Sequence, residues 1–239
     1  NINRDVNLIK RYDIRSVGEA VLLAGERWVK VPDFKESTVV AGLMRLFTKE
    51  GASVCFLSGH GEEDILSESA NGLSMMSNTL RSFGYKVETI SLVTTNDKAL
   101  IQHCAMMVAI GSKTDLFPAE INVLSAVSGK IPILFGTDVD MPQSLVDFLK
   151  TQGLDFGQNY LVNLDNVERG IPITDIITEV QTTHPIVNQL QGLIYLPRVQ
   201  NLLVGNTNKN PWEAVLTIPA SDPVETSTQP PQHGPFVVA

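Results

Sequence analysis

Nowhere does the chain run apolar for the roughly 20 residues that a helix needs to cross a bilayer, so none of its 239 residues is read as a membrane span. Positive charge is also scarce: 18 Lys and Arg stand against 26 Asp and Glu, a formal net charge of -8. A nucleic-acid surface needs clustered Lys and Arg to neutralise phosphates, and an anionic lipid face needs the same, so neither is expected as a partner. Two cysteines, Cys55 and Cys104, make neither a disulfide framework nor a four-thiolate metal site, and they leave the redox compartment open. Each lies in or beside an apolar run and is expected to pack as a small hydrophobe. The four histidines, at positions 60, 103, 184 and 233, show no i, i+4 pair and no H-E-x-x-H spacing, so no metal site is expected. A G-x-x-x-x-G-K-[ST] loop is missing too, which excludes an ATP-hydrolysing subunit. No cofactor is expected.

What is present is enough apolar side chain, 43% of residues against 18% charged, to bury the core of one large domain or of one domain plus an appendage. The runs Glu19–Ala24 and Arg27–Val31 flank Gly25-Glu26 and predict a hairpin. From Ser37 the apolar residues Val40, Leu43, Leu46 and Phe47 recur at helical spacing. Strand and helix signals then alternate: a strand over 53–57, a helix over 71–83 stopped by Gly84, strands over 86–92 and 106–110, a helix over 118–127, a strand over 131–135 and a helix over 142–152. Such alternation with Gly and Pro punctuation implies parallel strands joined by crossovers. The expected fold is α/β, a doubly wound, mostly parallel sheet of flavodoxin-like type. Beyond it, 159–162, 173–179, 193–199 and 213–218 look strand-like without clear helices between most of them. The expected organisation is a β-hairpin appendage over 1–34, a three-layer α/β domain over 35–220, and a polar linker with the start of a strand over 221–239. Because the chain opens on Asn1 and closes in the strand-like run 234–239, flanking segments that include a membrane anchor are expected outside it.

Ligands of doubly wound sheets gather outside the carboxyl ends of the strands. The loop after the first core strand reads Ser58, Gly59, His60, Gly61, Glu62, Glu63, Asp64. Two glycines around a His imply a tight turn with positive φ or close backbone approach. One reading makes it a site, with His60 as proton carrier or ligand and Glu62, Glu63 or Asp64 as carboxylate partners. The other, which is preferred, makes it a loop whose His and Glu hold the turn and whose acids favour the next helix N-terminus. A dinucleotide fingerprint fails, because Asp64 stands where its third Gly belongs and three acids would repel a pyrophosphate. A nucleophile elbow fails as well: the third core strand ends in Ile110, Gly111, Ser112, Lys113, which is not G-x-S-x-G. Asp138 and Asp140, after the fourth core strand, are expected on the same carboxyl rim as His60, and His184 is a base without an evident nucleophile. The candidate ligand-binding residues are therefore Gly59, His60, Gly61, Glu62, Ser112, Asp138 and His184, with no catalytic residue assigned.

The stretch Val54–Glu62 (VCFLSGHGE), followed by a helix and the strand Gly84–Leu92 (GYKVETISL), resembles the auxiliary components of uncharacterised ABC transport systems, the group that includes the gliding-motility accessory protein. Members carry a strand ending in G-H-G-E, a G-Y-x-V strand, an I-x-G-x-x strand and a helix opening on Pro-x-Glu. Here Ile110–Lys113 and Pro118–Glu120 match the later two. Thr183–Ile186 matches the family's H-P-I element, and Gly234–Phe236 its closing strand, so the resemblance runs from about residue 35 to the end. Ser128–Pro132 and Asp138–Asp140 depart from the family's glycine pair and Asp-Pro at those places. The resemblance implies an extracytoplasmic domain, membrane-anchored in the full-length protein, whose partners are permease and ATPase subunits of an ABC transporter and whose ligand is a carbohydrate or peptide. It also implies a class I glutamine amidotransferase-like core from which the catalytic Cys is missing. The expected function is a non-catalytic binding or scaffolding module. The alternative is a hydrolase or amidotransferase-like enzyme using His60, Glu62, Asp138 and His184.

Overall fold

The hairpin expected around Gly25 is present, and it does not stand alone. The structure, a computed structural model, describes residues 6–47, 52–136, 138, 140–179, 184, 187, 192–204, 214–219, 222–226, 232 and 236–237. It divides into two compact units, Asn1–Ile110 with Ala126–Phe135, and Gly111–Ser125 with Gly136–Ala239.

In the first unit a short helix, α1 (Val6–Arg11), precedes the antiparallel hairpin β1 (Ala20–Ala24) and β2 (Arg27–Val31). Tyr12 meets Trp28 edge to face with ring centroids 5.2 Å apart, and Lys30 Nζ donates to the Asp13 carbonyl at 2.9 Å, so the residues after α1 are tied to the hairpin. α2 (Glu36–Phe47) packs on both hairpin strands. It approaches so closely at Gly42 that a Cβ there would lie 2.8 Å from Leu22 Cδ1. The helical pattern from Ser37 is expected to end near Gly51, and residues 48–51 lie outside the described residues.

Next come β3 (Ser53–Leu57), α3 (Ser74–Ser82), β4 (Lys86–Ile90), α4 (Asp97–His103), β5 (Cys104–Ile110), α5 (Pro118–Val127) and β6 (Ile133–Gly136). The four strands form one parallel sheet in the order β4-β3-β5-β6. The chain runs outward from β3 to β4, then back across β3 to β5 and β6, which is the doubly wound arrangement the alternating pattern predicts. β3 is central and buried along its whole length, as its uninterrupted apolar character requires of a strand covered on both faces. Val54, Phe56 and Val108 point to one face and pack with Ile65 against Leu73, Met76 and Leu80 from α3 and the turn before it. α4 lacks a clear apolar period, yet its start is well made: the Asn96 side chain accepts the Ala99 N–H at 2.9 Å, as N-cap residues do.

The second unit contains most of α5, then α6 (Gln143–Thr151), β7 (Leu154–Val162), a single 3₁₀ turn (Leu164–Asn166), β8 (Asp175–Glu179), β9 (Leu193–Pro197), β10 (Gln200–Val204), β11 (Thr217–Ile218), β12 (Glu225–Thr226) and β13 (Phe236–Val237). All its described strand pairings are antiparallel: β7 lies between β10 and β12, β8 pairs with β9, and β11 with β13. A small core of Leu161, Ile176, Ile218 and Val224 holds these short pieces together. α6 begins at Pro142, which brings no side-chain cap. The segment before α5 supplies one instead: the Asp115 carboxylate accepts the Ser144 N–H at 2.8 Å, and Ser144 Oγ in turn accepts the Leu116 N–H at 2.9 Å. The closing strand expected at Gly234–Phe236 corresponds to β13, with 233–235 outside the described residues. Among the described residues, no helix is long and apolar enough to cross a membrane.

Candidate functional site

Order reversal in the sheet occurs around β3, so the turn at its carboxyl end lies at the topological switch point, where doubly wound sheets leave a crevice. The ladder continues one residue beyond the strand: the Ser58 N–H and hydroxyl both donate to the Ile90 carbonyl, at 2.9 and 3.0 Å. Gly59 then takes φ +124 and Gly61 φ +81. Around Gly59 the nearest atom to an added Cβ would be Ser91 Oγ at 3.9 Å, so glycine is needed there for its backbone conformation and not for space. His60, between them, is only 5% exposed. Its backbone N–H donates to Glu62 Oε2 at 2.7 Å, and the Glu63 N–H reaches across to the Ile110 carbonyl at the end of β5 at 3.0 Å. Asp64 turns its carboxylate onto the Leu66 N–H at 2.9 Å, and its carbonyl accepts from Leu73 and Ser67. Glu62 and Asp64 thus fold the turn by accepting main-chain N–H groups, and His60 is buried within it between two positive-φ glycines.

Gly59, His60, Gly61 and Glu62 are therefore contiguous in one turn of the first unit, whereas Ser112, Asp138 and His184 belong to the second. Ser112 is buried just after Gly111, which has φ +75. Asp138 is half-exposed and pairs with Arg198, Oδ1 to Nη2 at 3.4 Å, with Asp140 3.7 Å from the same guanidinium. Arg198 also donates to the Tyr160 hydroxyl and lies 5.2 Å from that ring's centroid. Tyr160 and then Asp138 raise the Arg198 pKa above its ordinary value. Arg198 has φ +53, one of two non-glycine residues among those described with a positive value. His184 is half-buried, and its carbonyl accepts the Val187 N–H at 3.0 Å. The other members of the matched 183–186 element lie outside the described residues, as does His233.

A second polar cluster went unanticipated, and it corrects the expectation for the cysteines. Cys55 and Cys104 are joined in a disulfide across the β3–β5 pair, with Cα atoms 5.8 Å apart; they are not two separate packed thiols. The register explains the pairing. Ser53 lies opposite Cys104 and Val54 opposite Met106, so Ala105 is an extra residue, a bulge of the kind that re-aims side chains. Strict alternation from Val108 and Met106 would point Cys104 toward α3, and the bulge turns it to the face of Cys55 instead. Opposite Cys55 on the other neighbour strand is Glu88, whose Oε1 is 2.6 Å from Nε2 of His103, the last residue of α4. The Glu88 carboxyl is held below its ordinary range, first by the neighbouring Ser53 hydroxyl, then by His103, against the opposing effect of burial. Among the described residues, that hydroxyl is the one buried side-chain polar atom without a hydrogen bond of regular geometry. No spacing in the sequence signals this cluster, because its members are spread over 53–104 and meet only through parallel pairing and one bulge.

No protein-family profile and no curated protein matches the chain. Among solved structures it is similar to the N-terminal domain of mmIFT52, at 16% identity and a TM-score of 0.54 over 73% of this chain and 78% of that one. A ThuA-like protein from Bacteroides uniformis aligns at 12% identity and a TM-score of 0.49 over 80% of this chain and 78% of that one. At these identities the likeness to the mmIFT52 domain is one of fold alone, and it agrees with the α/β class that the parallel sheet defines.

Proposed function

We propose that the chain is a non-catalytic, extracytoplasmic binding or scaffolding domain of an ABC transporter auxiliary protein, anchored to the membrane in its full-length form and partnered by the permease and ATPase subunits. The observation that carries the non-catalytic part is the use of Glu62: its carboxylate accepts the His60 backbone N–H at 2.7 Å, which makes it a builder of the turn. Both cysteines are in the disulfide and none is free, so the thiol that an amidotransferase-like core would need as nucleophile is not available. The ordered series of family-like motifs supports the transporter setting. The disulfide supports an oxidising compartment, where such bonds persist.

In this reading the glycine-shaped turn at the switch point, built around the buried His60, is the surface offered to a partner subunit or to an exported carbohydrate or peptide. His60→Ala and Glu62→Gln are expected to weaken capture of the permease and ATPase from detergent-solubilised membranes, with secondary structure retained by circular dichroism. Measurable turnover of an ester, amide or glycoside substrate that either substitution abolishes would overturn the non-catalytic assignment.

A further inference from the structure

The face of β3 turned away from α3 carries an unusual set of side chains for the interior of a parallel sheet. Cys55 is fully buried and Cys104 is 3% exposed. One ligand-type atom each from Cys55, Glu88 and His103 lie within 4.8 Å of one another, and Cys104 Sγ is bonded to Cys55 Sγ. The Glu88 and His103 side chains are 34% and 48% exposed, so the cluster has a buried sulfur end and a solvent-facing nitrogen and oxygen end. Two sulfurs, one imidazole and one carboxylate form a four-donor set of the type zinc takes in tetrahedral geometry. The buried Ser53 hydroxyl, without a regular hydrogen bond and next to Glu88, is placed to orient that carboxylate, as outer-shell groups of metal sites do.

We propose that Cys55, Cys104, His103 and Glu88 are a zinc site that the disulfide closes, so that this cluster holds either a sulfur–sulfur bond or a metal ion. Opening it requires a two-electron reductant: with a dithiol, the Sγ–Sγ bond takes up two electrons and two protons and the dithiol becomes a disulfide itself, and with a phosphine in water the phosphine leaves as its oxide. Zinc then displaces both thiol protons and is held by two thiolates, a His103 nitrogen and a Glu88 oxygen, in place of the His103–Glu88 ion pair. Zinc–sulfur bonds of about 2.3 Å at a tetrahedral angle place the sulfurs roughly 3.7 Å apart, a separation that side-chain rotation can supply over Cα atoms 5.8 Å apart. The bulge at Ala105 is what makes the site: without it Cys104 would face α3, and the cluster would lose both its disulfide and its fourth donor.

The inference stands independently of the transporter role. The test uses the full chain in two forms, air-oxidised and anaerobically reduced with a phosphine that is then removed, each titrated with Co²⁺ as the probe and followed by Zn²⁺. The reduced chain is expected to bind one Co²⁺, with the intense visible bands of tetrahedral cobalt and near-ultraviolet thiolate charge transfer, both discharged by zinc; the oxidised chain is expected to show neither. His103→Ala and Glu88→Gln, both at the solvent end, are expected to change the band envelope and to lower affinity by more than the roughly tenfold that losing an outer-shell partner costs. Two titratable thiols with no cobalt bands in the reduced chain would overturn the proposal. So would equal uptake by the oxidised chain, or a spectrum unchanged in both variants.

Discussion

Reducing the Cys55–Cys104 bond releases a loop whose ends are 49 residues apart in sequence, and the cost follows from chain entropy. For that length the cross-link removes about 14 cal/mol/K from the unfolded ensemble, or about 4 kcal/mol at 25 °C. Domains of this size have a net stability of roughly 5–15 kcal/mol, so the bond contributes a sizeable share of what holds the first unit together. The perturbation is best made twice, by phosphine reduction of the native chain and by the Cys55→Ala, Cys104→Ala double substitution, with a chelator present so that no metal replaces the bond. Urea unfolding followed by far-ultraviolet circular dichroism reads the result. With a slope of about 2 kcal/mol/M, the midpoint of the transition that melts the parallel sheet is expected to fall by about 2 M. The slope itself should rise slightly as the released loop lets the unfolded chain expand. A midpoint that neither reduction nor the double substitution moves would mean that the cross-link does not restrict the unfolded chain, and the entropic origin of its contribution would be wrong.

Four further outcomes follow from local geometry. Gly59→Ala forces a Cβ onto a residue at φ +124, and is expected to lower stability by about 1–3 kcal/mol in thermal or urea unfolding and to weaken partner capture with it. Ser144→Ala removes the acceptor of the Leu116 N–H and is expected to cost about 1 kcal/mol. The reciprocal Asp115 carboxylate has its pKa lowered in the folded state, first by the Ser144 backbone N–H. Its stabilisation is therefore complete above the unfolded value of about 3.9 and lost as pH falls through the lower folded one. Accordingly, Asp115→Asn should flatten the acid limb of a stability–pH curve and leave its shape near neutrality unchanged. Gly42→Ala drives a methyl into Leu22 and Val31, and is expected to destabilise the α2–hairpin packing by about 1–3 kcal/mol, read as an earlier loss of protection for β1 and β2 amides in hydrogen exchange.

The parts of the fold that are legible in the sequence are those where one physical demand dominates. β3 is an apolar run because it is covered on both faces, and its bounds, Ser53–Leu57, are as expected. α5 is equally plain, with Pro118 at its start, Glu120 in its first turn and Gly129 beyond its end. β7 was seen only at its end: Gly157 and the polar residues after it interrupt the alternation, yet the strand runs from Leu154 to Val162, held by β10 and β12 on either side. α4 has too few apolar residues for a periodic signal, and its sequence cue is the capping Asn96. The 58–64 turn was legible because positive-φ glycines around a His after a buried strand leave few alternatives. The Cys55–Cys104 cluster was not, because no spacing rule reports a bulge or a parallel register.

Whether the domain serves a transporter as a binding module, as proposed above, is decided by capturing the full-length protein from membranes solubilised in mild detergent and identifying by mass spectrometry what comes with it. Stoichiometric recovery of a permease and its ATPase, reduced by His60→Ala, is expected. Recovery of the protein alone, with neither subunit at any detergent strength that keeps it folded, would overturn the transporter reading.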